Sequence, residues 1–104
     1  MSTKILVADA RARFNHHESK LYLKEKYSNL LCIPFNGGMW NISIELITFL
    51  RTPSLSNNDT EILVDIYGTP IKIQREKFLE VATETYNRVM EQWLLEFTEL
   101  SNNR

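Results

Sequence analysis

Between Arg75 and Leu100 the chain runs without a glycine or a proline and is rich in Glu, Leu and Met, residues that favour the helix. Phe78, Ala82, Tyr86, Val89, Trp93, Phe97 and Leu100 recur at intervals of four, four, three, four, four and three. That spacing draws one continuous apolar stripe along a helix over 75–100, and Leu79, Met90 and Leu94 widen it. At 1.5 Å per residue such a helix is about 39 Å long. A compact domain of this size has a radius of gyration of only about 13 Å. The helix is therefore expected to overhang its own domain. An overhanging stripe that carries Trp93 and Phe97 needs a partner, and a second copy of the chain is the simplest one. On this argument Tyr86, Val89, Trp93 and Phe97 form an oligomer interface. The competing reading is that the stripe only covers the chain's own sheet.

The rest of the chain is too short for a second core. Its 104 residues fit one domain spanning 1–104. The formal net charge is −1, but the charge is uneven. Up to Lys26 the basic residues Lys4, Arg11, Arg13, Lys20, Lys24 and Lys26 outnumber Asp9, Glu18 and Glu25, and the remainder is acidic. A basic first quarter suits nucleic-acid contact or head-to-tail contact between subunits; the plainer reading is a solvated surface. The one cysteine, Cys32, excludes an internal disulfide and a thiolate zinc cluster, and points to a reducing compartment. It lies in the apolar run Leu30-Leu31-Cys32-Ile33, as a small buried hydrophobe does. No apolar run approaches the roughly 20 residues of a membrane span, and residues 4–9 are too short an apolar stretch for a signal peptide. A soluble, intracellular, non-secreted protein is expected.

Local patterns supply the other elements. Residues 4–8 are apolar and β-branched and read as a short buried strand. Residues 9–14 alternate small with charged residues and either extend that strand or turn beside it. Asn15 followed by Glu18 resembles a helix cap, so a helix is expected over 16–27, with Leu21 and Tyr22 facing the core and Lys20, Lys24 and Lys26 in water. Asn36-Gly37-Gly38 is a strong turn signal, which makes 30–35 and 39–42 a hairpin. Residues 43–50 fit a strand by alternation, or a short helix capped by Ser43, equally well. A polar loop over 52–59 follows. Residues 61–66 and 71–74, joined across Tyr67-Gly68-Thr69-Pro70, form the clearest hairpin in the chain.

A search for chemistry finds little to assemble. His16 and His17 are the only histidines, and adjacent helical residues point about 100° apart, so they cannot share one ion. There is no Gly-x-Ser-x-Gly elbow, and Asn36-Gly37-Gly38 lacks the spacing of a phosphate-binding loop. Asp65, in a strand beside a turn, is a plausible functional carboxylate but equally a turn residue. No catalysis, metal or cofactor is expected. Single strands of nucleic acid are held by basic grooves with aromatic faces. Arg11, Arg13, Lys20, Lys24 and Lys26 supply the charge near Tyr22 and Tyr27, and Tyr67 and Trp40 sit at expected turns, where aromatics can be exposed; the plainer reading makes Trp40 a core residue and Tyr67 an ordinary turn residue.

The segment Ile66-Tyr67-Gly68-Thr69-Pro70-Ile71-Lys72-Ile73 resembles the second signature of Sm-like (LSm) proteins, an apolar strand that ends in a residue before Gly and resumes with isoleucines. Residues 4–15, the run Tyr22-Leu-Lys-Glu-Lys-Tyr27 and the Trp93-bearing helix resemble, across essentially the full chain, a family of small Sm-like proteins abundant in marine metagenomic sequence and of apparent cyanophage origin. The resemblance implies a strongly bent antiparallel sheet or barrel, ring-like homo-oligomers and nucleic-acid binding, with Tyr67 and Gly68 at the contact. Tyr67 stands where Sm proteins carry Arg, so it would stack on a base without a charged contact. The first Sm signature has only a distorted counterpart in Asn36-Gly37-Gly38 and Asn41, and the dominant helix follows the sheet instead of preceding it.

The expectation is therefore an α+β chain, with a small Sm-like bent sheet or barrel, a short helix in its N-terminal half and a long C-terminal helix. Its expected role is that of a non-catalytic homo-oligomer binding single-stranded RNA or DNA in phage nucleic-acid processing, in the cytoplasm of the infected cell. The alternative is a virion-associated structural or assembly protein that uses the same oligomer without nucleic acid.

Overall fold

The computed structural model describes the backbone of residues 3–52 and 59–102, with side chains over 16–52 and 59–102. The order is α1 (Thr3–Leu30), β1 (Cys32–Phe35), β2 (Gly38–Asn41), α2 (Ile44–Arg51), β3 (Thr60–Val64), β4 (Pro70–Gln74) and α3 (Arg75–Asn102). The class is α+β. The strands make two separate two-stranded antiparallel sheets, β1-β2 and β3-β4, and no closed barrel forms among the described residues. The bent single sheet expected from the Sm resemblance is thus replaced by two hairpins.

Each hairpin follows from its turn. Asn36 (φ 51°) and Gly37 (φ 86°) both take positive φ, the signature of a type I′ turn, and set Phe35 opposite Gly38. That register puts Pro34 opposite Met39, a pair that does not exchange ladder hydrogen bonds, so the missing proline N–H costs nothing. In the second hairpin the Gly68 N–H donates to the Asp65 carbonyl and the Asp65 N–H to the Thr69 carbonyl, both at 3.0 Å. A type I turn with a glycine bulge closes it, and Pro70 again falls outside the hydrogen-bonded pairs.

The hairpins meet at Met39, whose backbone groups point away from β1. Its carbonyl accepts from the Ile66 N–H at 3.0 Å, and its N–H donates to Asp65 Oδ2 at 3.1 Å. Gly38 lets them approach. A Cβ there would lie 2.5 Å from Ile71 Cδ1 and 3.2 Å from Asp65 Cβ. Asn36 Nδ2 adds a bond to the Lys72 carbonyl at 2.8 Å.

α2 settles the ambiguous stretch over 43–50 as a helix. Ser43 sits in extended conformation and its hydroxyl accepts from the Leu46 N–H, a side-chain cap that a strand would not use. The expected polar loop over 52–59 falls, for 53–58, outside the described residues. Its two flanks are tied to Arg75, whose guanidinium donates to the Thr52 carbonyl and whose N–H donates to the Asp59 carbonyl.

α2, the hairpins and the first half of α3 enclose one core: Trp40, Ile42, Ile47, Leu50, Ile73, Phe78 and Ala82. Phe78 is its centre, wholly buried, stacked on Phe35 at 4.7 Å and edge-on to Trp40 at 5.2 Å. This part of the molecule is called the head.

α1 corrects the N-terminal expectation. The strand over 4–8, the turn over 9–14 and the helix start at Asn15 are replaced by one helix that begins at Thr3. No glycine or proline occurs before Pro34, and Ala8, Ala10 and Ala12 are strong helix formers. Once nucleated, a helix propagates at one hydrogen bond per residue, which outweighs the strand preference of a few β-branched side chains. The inward face is also shifted. Leu23 and Tyr27 are buried, whereas Leu21 and Tyr22 are exposed.

The second half of α3 lies against α1 in an antiparallel arm. Leu23, Tyr27 and Val89 form its buried seam, with Trp93, Phe97 and Leu100 packed alongside and Leu31 touching both this seam and the head core. The stripe assigned to a second copy is thus covered in part from within. Val89 is buried against α1, Trp93 stacks on Tyr27 at 5.9 Å, Phe97 lies under Lys20, and Tyr86 packs on the head core. The overhang belongs instead to α1. From the Lys20–Phe97 contact, α3 ends between one and two turns later, while α1 continues for almost five turns to Thr3. The radius of gyration is 19.8 Å and the long axis 69 Å, well beyond a compact chain of this length.

Candidate functional site

Asp65 is the most heavily bonded carboxylate among the described residues. Oδ1 accepts from the Tyr67 N–H at 3.0 Å and the Thr69 N–H at 2.9 Å, and Oδ2 accepts from Met39. The Thr69 amide, with those of Met39 and Tyr67, holds its pKa below the usual carboxylate value, against the opposing effect of burial. Its two oxygens accept from three backbone donors drawn from both hairpins, so it staples them together. The pattern Asp-x-x-Gly, an aspartate opening a type I turn, is the sequence signal for this role. Tyr67 stands at the tip of that turn, the most exposed large hydrophobic residue described, with Gly68 beside it at φ 83°.

The second constellation crosses the arm. Glu96 Oε1 accepts from Lys26 Nζ at 2.6 Å and from the Tyr27 hydroxyl. The hydrogen bond from Lys26 lowers the Glu96 pKa, with a further contribution from Tyr27, while the same carboxylate raises those of Lys26 and Tyr27. Lys26 and Glu96 lie seventy residues apart in sequence, so nothing local in the sequence marks the pair.

The arm has two unlike sides. On one, Lys20 Nζ lies 5.7 Å from the Phe97 ring centroid. The positions of Arg13, His17, Lys20 and Lys24 recur at four, three and four along this flank of α1, and Met90, Leu94, Phe97 and Ser101 at the same intervals along the facing flank of α3. Lys20, Lys24 and Leu94 are exposed. None of these eight positions is acidic. The other side carries Tyr22, Lys26 and Leu30 on α1, and Arg88, Gln92, Leu95, Glu96 and Glu99 on α3.

Of the expected nucleic-acid residues, Lys20 and Lys24 share one surface. Arg13 occupies a helical position in line with them, whereas the position of Arg11 falls on the opposite flank of α1. The side chains of Arg11 and Arg13 lie outside the described residues. Tyr67 and Gly68 belong to the head, in the turn of the second hairpin, and not to the arm that carries the lysines. A third feature has no counterpart in the sequence reading. An open depression of about 540 Å³ between the Asn36 turn and β4 is lined by Lys72, Lys77, Thr60 and Gln74.

Comparison with protein-family models, with curated proteins and with solved structures finds no match to this chain.

Proposed function

We propose that the protein is a non-catalytic, homo-oligomeric module that binds single-stranded RNA or DNA along the Lys20–Phe97 side of the arm. The observation that carries this reading is a cationic stripe on a chain of net charge −1: exposed Lys20 and Lys24 flank a half-covered phenylalanine along eight in-line positions that include no carboxylate, while the opposite side mixes Lys26 and Arg88 with Glu96 and Glu99. A single strand offers phosphates to the ammonium groups and base faces to Phe97 and Leu94, the combination on which sequence-tolerant single-strand binding rests. The continuous helix adds Arg13 to the same line, about two turns from Lys20. The Sm-like part of the reading is narrower. It rests on the second hairpin, whose exposed Tyr67 beside Gly68 offers an aromatic face to a base in a region of the head apart from the arm.

The test is fluorescence anisotropy of labelled 20-nucleotide single strands, RNA and DNA, titrated at several salt concentrations. Three cationic contacts predict a slope of log affinity against log salt of about −2. The double variant Lys20→Glu/Lys24→Glu should abolish binding while circular dichroism stays unchanged, because both side chains are exposed. Absence of binding at low salt, or binding indifferent to the double variant, overturns the proposal.

A further inference from the structure

The side of the arm that carries the Lys26–Glu96 bridge has a pattern that a second copy of the chain completes. A two-helix layer buries a residue only where the helices face each other, and this seam leaves Trp93, Phe97 and Leu100 partly open. Beside it, Tyr22 (65% exposed), Leu30 (45%) and Leu95 (64%) form an apolar margin with no cover among the described residues. Two depressions of about 380 and 460 Å³ follow this margin, one on either side of the Lys26–Glu96 bridge.

Charge and spacing identify the occupant. Arg88, Gln92, Leu95 and Glu99 recur at four, three and four along this flank of α3, and all four are exposed. The stripe begins with a cation and ends with an anion, with a neutral and an apolar residue between. Turned by a two-fold axis perpendicular to the helix, it becomes its own complement. Arg88 meets the partner's Glu99, Gln92 meets the partner's Leu95, and both contacts repeat in reverse. A self-complementary patch is what an isologous interface requires. We infer that two copies pair through α3, antiparallel and centred between Gln92 and Leu95, so that two helical arms close into a four-helix bundle. Leu95 of each copy then sits in the depression lined by the other copy's Leu30, Gln92 and Leu95. The Lys20–Phe97 side stays outward on both copies, so the pairing is compatible with the proposed binding surface and doubles it. The inference deepens the homo-oligomeric part of the proposed function and rests on it. It does not depend on nucleic acid.

Light scattering after size exclusion on the full chain tests it, at low and at moderate salt. The expected mass is twice the 12.2 kDa of one chain or an even multiple of it. Arg88→Glu sets two carboxylates against each other at both contacts and should halve that mass, as should Leu95→Glu. Glu99→Arg should act in the same way, and the swapped double variant Arg88→Glu/Glu99→Arg should restore the wild-type mass, with helix content unchanged throughout. A monomeric wild type removes the homo-oligomeric reading and this interface together. A wild-type oligomer that ignores Arg88→Glu and Leu95→Glu keeps that reading and removes this interface. Disruption by both single charge variants without recovery in the swap refutes the antiparallel register.

Discussion

Replacing Leu23 by Ala should release the arm and leave the head folded. Leu23 is 6% exposed and belongs to a seam of three buried residues, whereas the head core holds seven. Truncating a buried leucine costs about 2–5 kcal/mol, from the lost transfer free energy and the cavity left behind. Full burial of Leu23 and of Val89 contributes about 1.5–3 kcal/mol each before the entropy of ordering is subtracted. The substitution therefore removes a stabilisation comparable to what these two side chains provide together. Among described residues head and seam share Leu31 as a packing residue and are otherwise joined through the backbone of α3, so most of the loss should stay in the arm. Hydrogen exchange read by mass spectrometry separates the outcomes. Peptides covering 16–30 and 90–102 should exchange roughly 30-fold faster or more, since about 1.4 kcal/mol corresponds to a factor of ten. Peptides covering the hairpins and α2 should keep their protection. Equal acceleration throughout would show one cooperative unit and refute the division into head and arm.

Further outcomes follow from the head and its charges. Gly38→Ala should destabilise by about 1–3 kcal/mol in thermal unfolding, because its Cβ enters the space of Ile71 Cδ1 and Asp65, and Ile71→Val in the same chain should recover part of the loss in a double-mutant cycle. Phe78→Ala should cost about 3–5 kcal/mol and unfold the head first, since that ring joins Phe35 to Trp40. Asp65 and Glu96 both have folded pKa values below their ordinary ones, so their contributions are fully present above about pH 5 and are lost as the pH falls through the folded values. Acid titration followed by near-ultraviolet circular dichroism should show loss of tertiary signal there, and Asp65→Asn should flatten that limb at the cost of stability at neutral pH. Lys26 and Tyr27 have raised values, so their share is present below about pH 10 and is lost as the pH rises through the folded values. A seam that stays intact to alkaline pH well above those values would contradict the role given to Glu96.

What the sequence determined by itself is what short-range physics decides. The α3 helix follows from its 3.6-residue periodicity and the lack of breakers, and both hairpins follow from Asn36-Gly37 and from the turn that Asp65 opens and Gly68 closes. Trp40 as a core residue and Lys20 and Lys24 as solvent residues were legible in the same way. The stretch over 43–50 was balanced locally, and one side-chain bond from Ser43 to the Leu46 N–H resolved it. Tertiary structure decided the rest, because the deciding contacts span long separations. Residues 4–8 have strand-like side chains, yet they continue a helix whose seam against α3 is fixed some twenty residues later. The periodicity found the apolar stripe on α3, but the length argument gave the overhang to α3 because nothing local shows that α1 packs along that stripe and itself overhangs. The joint between the hairpins depends on Gly38, Met39 and Asp65, and the Lys26–Tyr27–Glu96 cluster on two helices brought together from opposite ends of the chain. Periodicity fixes which face of an element is apolar. Which other element covers that face is fixed only when the chain closes on itself.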